Sequence, residues 1–247
     1  MTSPGGGAGY PLLGVKELPE KDPRVSEPLY TVPEAALFLG MGQGTLRNWL
    51  EGRSRSRPFV HIVGNREREP IIPFIGFAEA AVTWILRQGM SAQYIRKALA
   101  RLQDEIGVEY ALASQDLYAY GAKILYDYIG VDGTKKLVEV VSGNVVFRPV
   151  VKKGLRRISY EGGFAGSLIL PKTHHELISV DPRWASGQPL TIRGGARMID
   201  LIRRFGAGET PGVLAEDYGV PENDVLEILR AFYRAPEGPE PETEEAA

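Results

Sequence analysis

Four side chains in one short stretch have the chemistry to read nucleic acid: Gln43, Thr45, Arg47 and Asn48. Amides, hydroxyls and guanidinium groups reach phosphates and base edges, with arginine forking onto guanine and asparagine or glutamine onto adenine. Further arginines follow at Arg53, Arg55, Arg57, Arg66 and Arg68, with His61 among them. From Met41 to Pro70 there are six arginines against Glu51, Glu67 and Glu69. A planar, permanently charged guanidinium suits phosphate. Gln43, Thr45, Arg47, Asn48, Arg53, Arg55, Arg57, Arg66 and Arg68 are therefore the candidate DNA-binding residues. Arg47 and Asn48 would lie nearest the bases, and Arg53, Arg55 and Arg66 nearest the phosphates.

The elements that must hold these groups are legible around them. Thr31 is an N-cap candidate, Pro33 sits in the first turn, and Glu34 completes a capping-box spacing. Ala35, Ala36 and Leu39 give a small apolar face, and Gly40–Gly44 break the helix. Leu46, Trp49 and Leu50 then recur at helical spacing. Two short helices joined by a tight turn fit the DNA major groove; a plain helical hairpin within a core is the simpler alternative. Pro58 to Val63 reads as a short strand and Gly64-Asn65 as a turn. A second strand beyond them would make a wing. Pro70 to Ile75 reads as a strand or packed loop. A helix is predicted from about Phe77 to Gln88, and Ser91 caps the next.

The order helix-turn-helix, basic wing, then GMSAQYIRKAL resembles the MerR-type regulators. The matching residues are Gly89, Ser91, Ile95 and Arg96, and the likeness runs roughly from Tyr30 to Gly107. It implies a winged helix-turn-helix, DNA binding and a two-fold dimer.

Residues 137–147 are β-rich, with Ser142-Gly143 as a hairpin signal. A second basic patch then brings Arg148, Lys152, Lys153, Arg156 and Arg157 with no acid between them. It could follow a phosphate backbone, dock an acidic protein, or be a charged edge strand. Further on, Thr210 caps a helix entered by Pro211, Gly219-Val220-Pro221 turns the chain, and Val225, Ile228, Leu229 and Phe232 form a last apolar stripe. This second helix-turn-helix shape has the wrong charge for DNA. From Glu209 to Arg234 there are six acids against two arginines, and phosphate would be repelled. It reads as a packing and dimerisation module.

The same region resembles a small domain of VapB-type antitoxins. The residues that carry the likeness are Ile178, Asp181-Pro182, Gly187-Gln188-Pro189, Gly208-Glu209-Thr210 and Asp217-Tyr218-Gly219. The family's Gly-Thr-Arg becomes Gly195-Ala196-Arg197. Together with the MerR-like half, this resembles one branch of those antitoxins, which implies a PIN-type ribonuclease toxin as partner. Arg148, Lys152, Lys153, Arg156, Arg157, Arg193 and Arg197 are the toxin-binding candidates, and an arginine among them could occupy the toxin's acidic site in place of its metal.

Composition bounds the rest. The 247 residues carry a net charge of −2 and 43% hydrophobic residues, ordinary for a globular protein. There is no cysteine, which removes disulfides and thiolate metal sites. No apolar run reaches the ~18 residues of a membrane span, and MTSPGGGAGYP lacks the pattern of a signal peptide, so a cytoplasmic place is expected. His174-His175-Glu176 lacks a spaced third metal ligand. No phosphate loop or nucleophile elbow is present, and neither an enzyme nor a cofactor is expected.

The fold class read from these patterns is α+β, mainly helical. Residues 1–29 form an arm and 30–109 the winged helix-turn-helix. Residues 110–172 form a β-rich connecting segment, 173–234 a helical antitoxin-type domain and 235–247 a disordered acidic tail. The expected function is an antitoxin that blocks its toxin and represses its own operon, as a homodimer or a hetero-oligomer with the toxin. The alternatives are a stand-alone regulator, with a ligand pocket among Tyr118, Tyr120, Tyr126 and Tyr128, and a protein-interaction scaffold.

Overall fold

The computed structural model describes residues 18–51, 58–64, 69–87, 95, 99, 109–118, 121–122, 138–141, 144–173 and 175–233. A single turn of helix, α1 (Pro23–Ser26), precedes the first helix-turn-helix. In α2 (Val32–Leu39) the Thr31 hydroxyl accepts from the Glu34 N–H, and the Glu34 carboxylate accepts from the Thr31 N–H at 2.9 Å. This is the full capping box, and it satisfies donors that a helix start otherwise leaves orphaned. Gly40 ends α2 in the left-handed region, φ 71°, where glycine avoids the Cβ penalty. Then α3 (Gln43–Glu51) buries Leu46, Trp49 and Leu50. Trp49 meets Phe59 and Trp84 edge-on and tilted, each with ring centres 6.4 Å apart.

Pro58 to Val63 is not a strand. Its alternate N–H groups go to three unrelated acceptors: Phe59 to the Trp49 carbonyl, His61 to the Glu79 carboxyl, and Val63 to the Ile71 carbonyl. A ladder needs one partner strand, and here each donor is already taken by a different element. The Val63–Ile71 bond, 2.8 Å, nevertheless closes the loop where a wing is expected. Ile72 bridges Tyr30. The following helix, α4 (Phe74–Arg87), starts three residues earlier than its sequence pattern suggests, directly after Pro73. Every residue from Phe74 to Thr83 is buried, so α4 is the central helix. Gly76 lets the His61 peptide lie against it; a Cβ there would sit 2.1 Å from the His61 oxygen.

Strands β1 (Val138–Val141) and β2 (Asn144–Phe147) pair antiparallel as the hairpin pattern predicts. The basic stretch after them is a helix, α5 (Pro149–Leu155), rather than an edge strand. Proline at its first position is preorganised for a helix. Val151 and Leu155, four apart, point inward, which fits a helix period and not a strand's. Strands β3 (Ile158–Glu161), β4 (Phe164–Ile169), β5 (Ile178–Val180) and β6 (Leu190–Thr191) form an antiparallel meander in chain order. That sheet spans the position at which the sequence reading divides residues 110–172 from 173–234.

Helices α6 (Met198–Gly206), α7 (Pro211–Tyr218) and α8 (Glu222–Tyr233) complete the chain's described part. Thr210 caps α7 and Gly219 ends it at φ 63°. The two ends of the chain share one buried cluster. The buried Tyr30 hydroxyl donates to the Gly187 carbonyl at 2.7 Å. Burial raises its pKa, so it remains a protonated donor. Arg24 donates to the Glu161 and Ala165 carbonyls. Lys172 runs past the Gly40 turn and sets its ammonium 4.4 Å from the centre of the Phe232 ring.

Candidate nucleic-acid interface

Helix α3 has two faces. Leu46, Trp49 and Leu50 lock it to α2 and α4, and Gln43, Gly44 and Asn48 stand exposed, with Thr45 and Arg47 half-buried beside them. No acid lies in its first turn. A Cβ built at Gly44 would meet nothing within 4 Å, so this side of the helix is open to close approach. The four sequence-derived residues of α3 are thus on one helix. Arg53, Arg55, Arg57, Arg66 and Arg68 lie outside the described residues, as do Gly89, Ser91 and Arg96.

The Pro58–Val63 segment is held by a buried carboxyl that pattern reading missed. Glu79 is 6% exposed on α4 and its Oε2 accepts the His61 N–H at 2.7 Å. Burial raises its pKa to about 8; the backbone bond opposes that and Glu109 adds to it. Burial also lowers the pKa of His61, whose Nε2 lies 3.2 Å from the Val25 carbonyl. A lone acid inside the apolar run Phe74–Leu86 was the available signal.

The cationic residues assigned above to a protein partner divide in two. Arg157 donates to the Leu170 and Thr173 carbonyls at 2.6 and 3.4 Å, and Arg193 pairs with Asp224 at 2.5 Å. Arg156 approaches the Tyr118 hydroxyl at 3.4 Å. The side chains of Arg148, Lys152, Lys153 and Arg197 are exposed and have no ion-pair or hydrogen-bond partner among the described residues. Tyr120, Tyr126 and Tyr128 lie outside the described residues. So does His174, and His175 Nδ1 sits 2.6 Å from Glu227. Among the described residues no group of three His, Asp or Glu could hold a metal, and no helix is long and apolar enough to cross a membrane.

In the second helix-turn-helix several of the acids are engaged internally. The turn at Gly194 packs on the α7–α8 turn so closely that a Cβ there would stand 2.4 Å from the Tyr218 oxygen. It carries Arg193 to Asp224, and His175 takes Glu227. Arg204 holds both Glu209 and Asp217.

Residues 28–99 match a protein family described as "Putative DNA-binding HTH domain". Over 236 residues the chain is 32% identical to the "Putative antitoxin VapB45" of Mycobacterium tuberculosis, covering 86% of this chain and 97% of that protein. The chain belongs to the VapB-type antitoxins. It is an antitoxin with a DNA-binding helix-turn-helix, and residues 30–50 are that motif. The crystal structure of RV2018 from Mycobacterium tuberculosis resembles this VapB-type chain with a TM-score of 0.73 at 31% identity. The match covers 83% of this chain and 99% of that one. The Asp-Pro, Gly and Asp-Tyr-Gly steps that first pointed to VapB-type proteins are turn elements here. Asp181 holds Arg183 at 2.7 and 2.9 Å, and Gly187 receives the Tyr30 hydroxyl.

Proposed function

We propose that this antitoxin represses its own operon through α3 and the wing and inhibits a PIN-type ribonuclease toxin. The observation that carries the first half is the polar outer face of α3, with no acid in its first turn, on a helix with three buried residues in a family-assigned DNA-binding motif. Gln43, Thr45, Arg47 and Asn48 face base edges, and the arginines 53, 55, 57, 66 and 68 reach phosphates. A two-fold dimer presents two such helices to half-sites about one turn of DNA apart. The second half rests on membership of the VapB-type family. For it, Arg197, its side chain exposed and without an ion-pair or hydrogen-bond partner among the described residues, is the group available to enter an acidic, metal-holding nuclease site.

The test is co-expression with the product of the adjacent open reading frame, followed by purification and an RNase assay. A stable, RNase-silent complex that shifts the upstream DNA is expected. Arg197→Glu should release nuclease activity while the DNA shift persists. A pair that does not co-purify, or a chain that fails to bind DNA at low salt, removes the corresponding half of the reading.

A further inference from the structure

The exposed face of α5 is basic and carries no acid. From Phe147 to Tyr160 the chain has five cations and no acid. Val151 and Leu155 bury one side of α5, which leaves Arg148, Lys152 and Lys153 exposed with no side-chain partner among the described residues.

The position of α5 matters as much as its charge. Gly154 permits α5 to press on α4, since a Cβ there would lie 2.9 Å from Ile85 Cγ2. The preceding residue on α4, Trp84, packs against Trp49 of α3. Thus α5 and the C-terminal end of α3 flank the same turn of α4. Each packs about 10 Å from α4, which puts the two axes within about 20 Å of one another, and one turn of duplex spans about 34–36 Å. A duplex seated on α3 therefore has phosphates within range of a cationic helix beside it.

We propose that Arg148, Lys152 and Lys153 bind the phosphate backbone of DNA outside the bases read by α3. This rests on the helix-turn-helix being the base reader. An acidic protein is the weaker occupant. Among the described residues α5 offers one exposed large apolar side chain, Val150, whereas protein interfaces draw their affinity from anchors in well-packed, desolvated pockets. Phosphate contact needs only placed cations and is sequence-independent.

The experiment titrates the full chain with a labelled duplex from upstream of its own reading frame and with a scrambled duplex, over a range of salt. The variants are Lys152→Glu/Lys153→Glu and, separately, Arg47→Ala. Circular dichroism confirms that each variant is folded; the two lysines are exposed, so their replacement removes no core contact. The lysine variant should weaken both duplexes by similar factors and lower the salt slope by about 2, roughly 0.9 per lost contact. Arg47→Ala should weaken the upstream duplex more than the scrambled one. Loss of binding in Arg47→Ala with an unchanged lysine variant overturns the α5 proposal and leaves the base reader intact. No effect from either variant overturns the base reader and the α5 proposal with it. If the lysine variant loses capture of the adjacent gene's product but keeps its DNA affinity and slope, the patch belongs to a protein.

Discussion

Two helix-turn-helix units in this chain share one local plan and differ in what they show to the outside. Each opens with a threonine cap, places a proline in the first turn, runs eight residues of helix and stops at a left-handed glycine. Thr31 to Gly40 and Thr210 to Gly219 are both nine residues apart, 40 − 31 and 219 − 210. Each second helix buries a stripe, Leu46, Trp49 and Leu50 in α3, and Val225, Ile228, Leu229 and Phe232 in α8. The divergence lies outside those stripes. Helix α3 turns out the amides of Gln43 and Asn48, with Thr45 and Arg47 half-buried beside them; α8 begins Glu222-Asn223-Asp224, with Asp224 and Glu227 taken by Arg193 and His175. Backbone geometry makes both shapes possible, and surface chemistry plus neighbouring packing decides which one can meet DNA.

The largest effect that could break this comparison is on the two buried stripes. Trp49→Ala should cost about 3–5 kcal/mol and Ile228→Ala about 2–5 kcal/mol in urea unfolding. Because both residues belong to one buried cluster, each variant should unfold in a single transition. Two separate transitions would show that the units are independent.

Next comes charge on the outer faces. Arg47→Glu should cost at least about 1–3 kcal/mol of DNA affinity. Glu222→Arg on α8 should leave specific DNA affinity unchanged. A gain of sequence-specific binding in the second variant would mean that charge alone separates the units.

A third difference is pH response. Glu79 holds a proton in the folded state up to about pH 8 but loses it near 4.5 once unfolded. Between those values the folded chain binds more protons than the unfolded one, so stability falls as pH rises, by at most about 1.4 kcal/mol per pH unit. Glu79→Gln should flatten that slope in denaturant midpoints measured from pH 5 to 8. Glu209, half-buried and held by Arg204 below its usual range, has the opposite sign. Its small contribution is lost as pH falls through its folded pKa.

The smallest test compares the caps. Thr31→Ala removes a reciprocal box and should cost about 1 kcal/mol. Thr210→Ala removes one bond, to the Val213 N–H at 3.4 Å, and should cost about 0.5 kcal/mol in thermal melts. Equal costs would show that the reciprocal Glu34 contact adds nothing.

Both helix-turn-helix units were readable because their determinants are local. A threonine hydroxyl finds an N–H three residues on, and glycine alone adopts positive φ without penalty. The β1–β2 hairpin was readable for the same reason. Pro58–Val63 and α5 were not. The first has a β-like sequence whose N–H groups are claimed by Trp49, Glu79 and Ile71, partners from distant parts of the chain. The second has strand-prone valines, but Gly154 against Ile85 and two inward residues four apart select the helix.

Sequence by itself therefore determined the caps and ends of both helix-turn-helix units, which of their faces are apolar, and that the first of the two is the basic one. Tertiary structure decided which cations remain available. It drew Arg157 and Arg193 into internal bonds and left Arg148, Lys152, Lys153 and Arg197 exposed. It also placed the basic helix α5 beside α4 and bound the His61 N–H to a buried glutamate. The reason is physical: capping and periodicity act over three or four residues. Ion pairing and burial depend on which distant segments share a core.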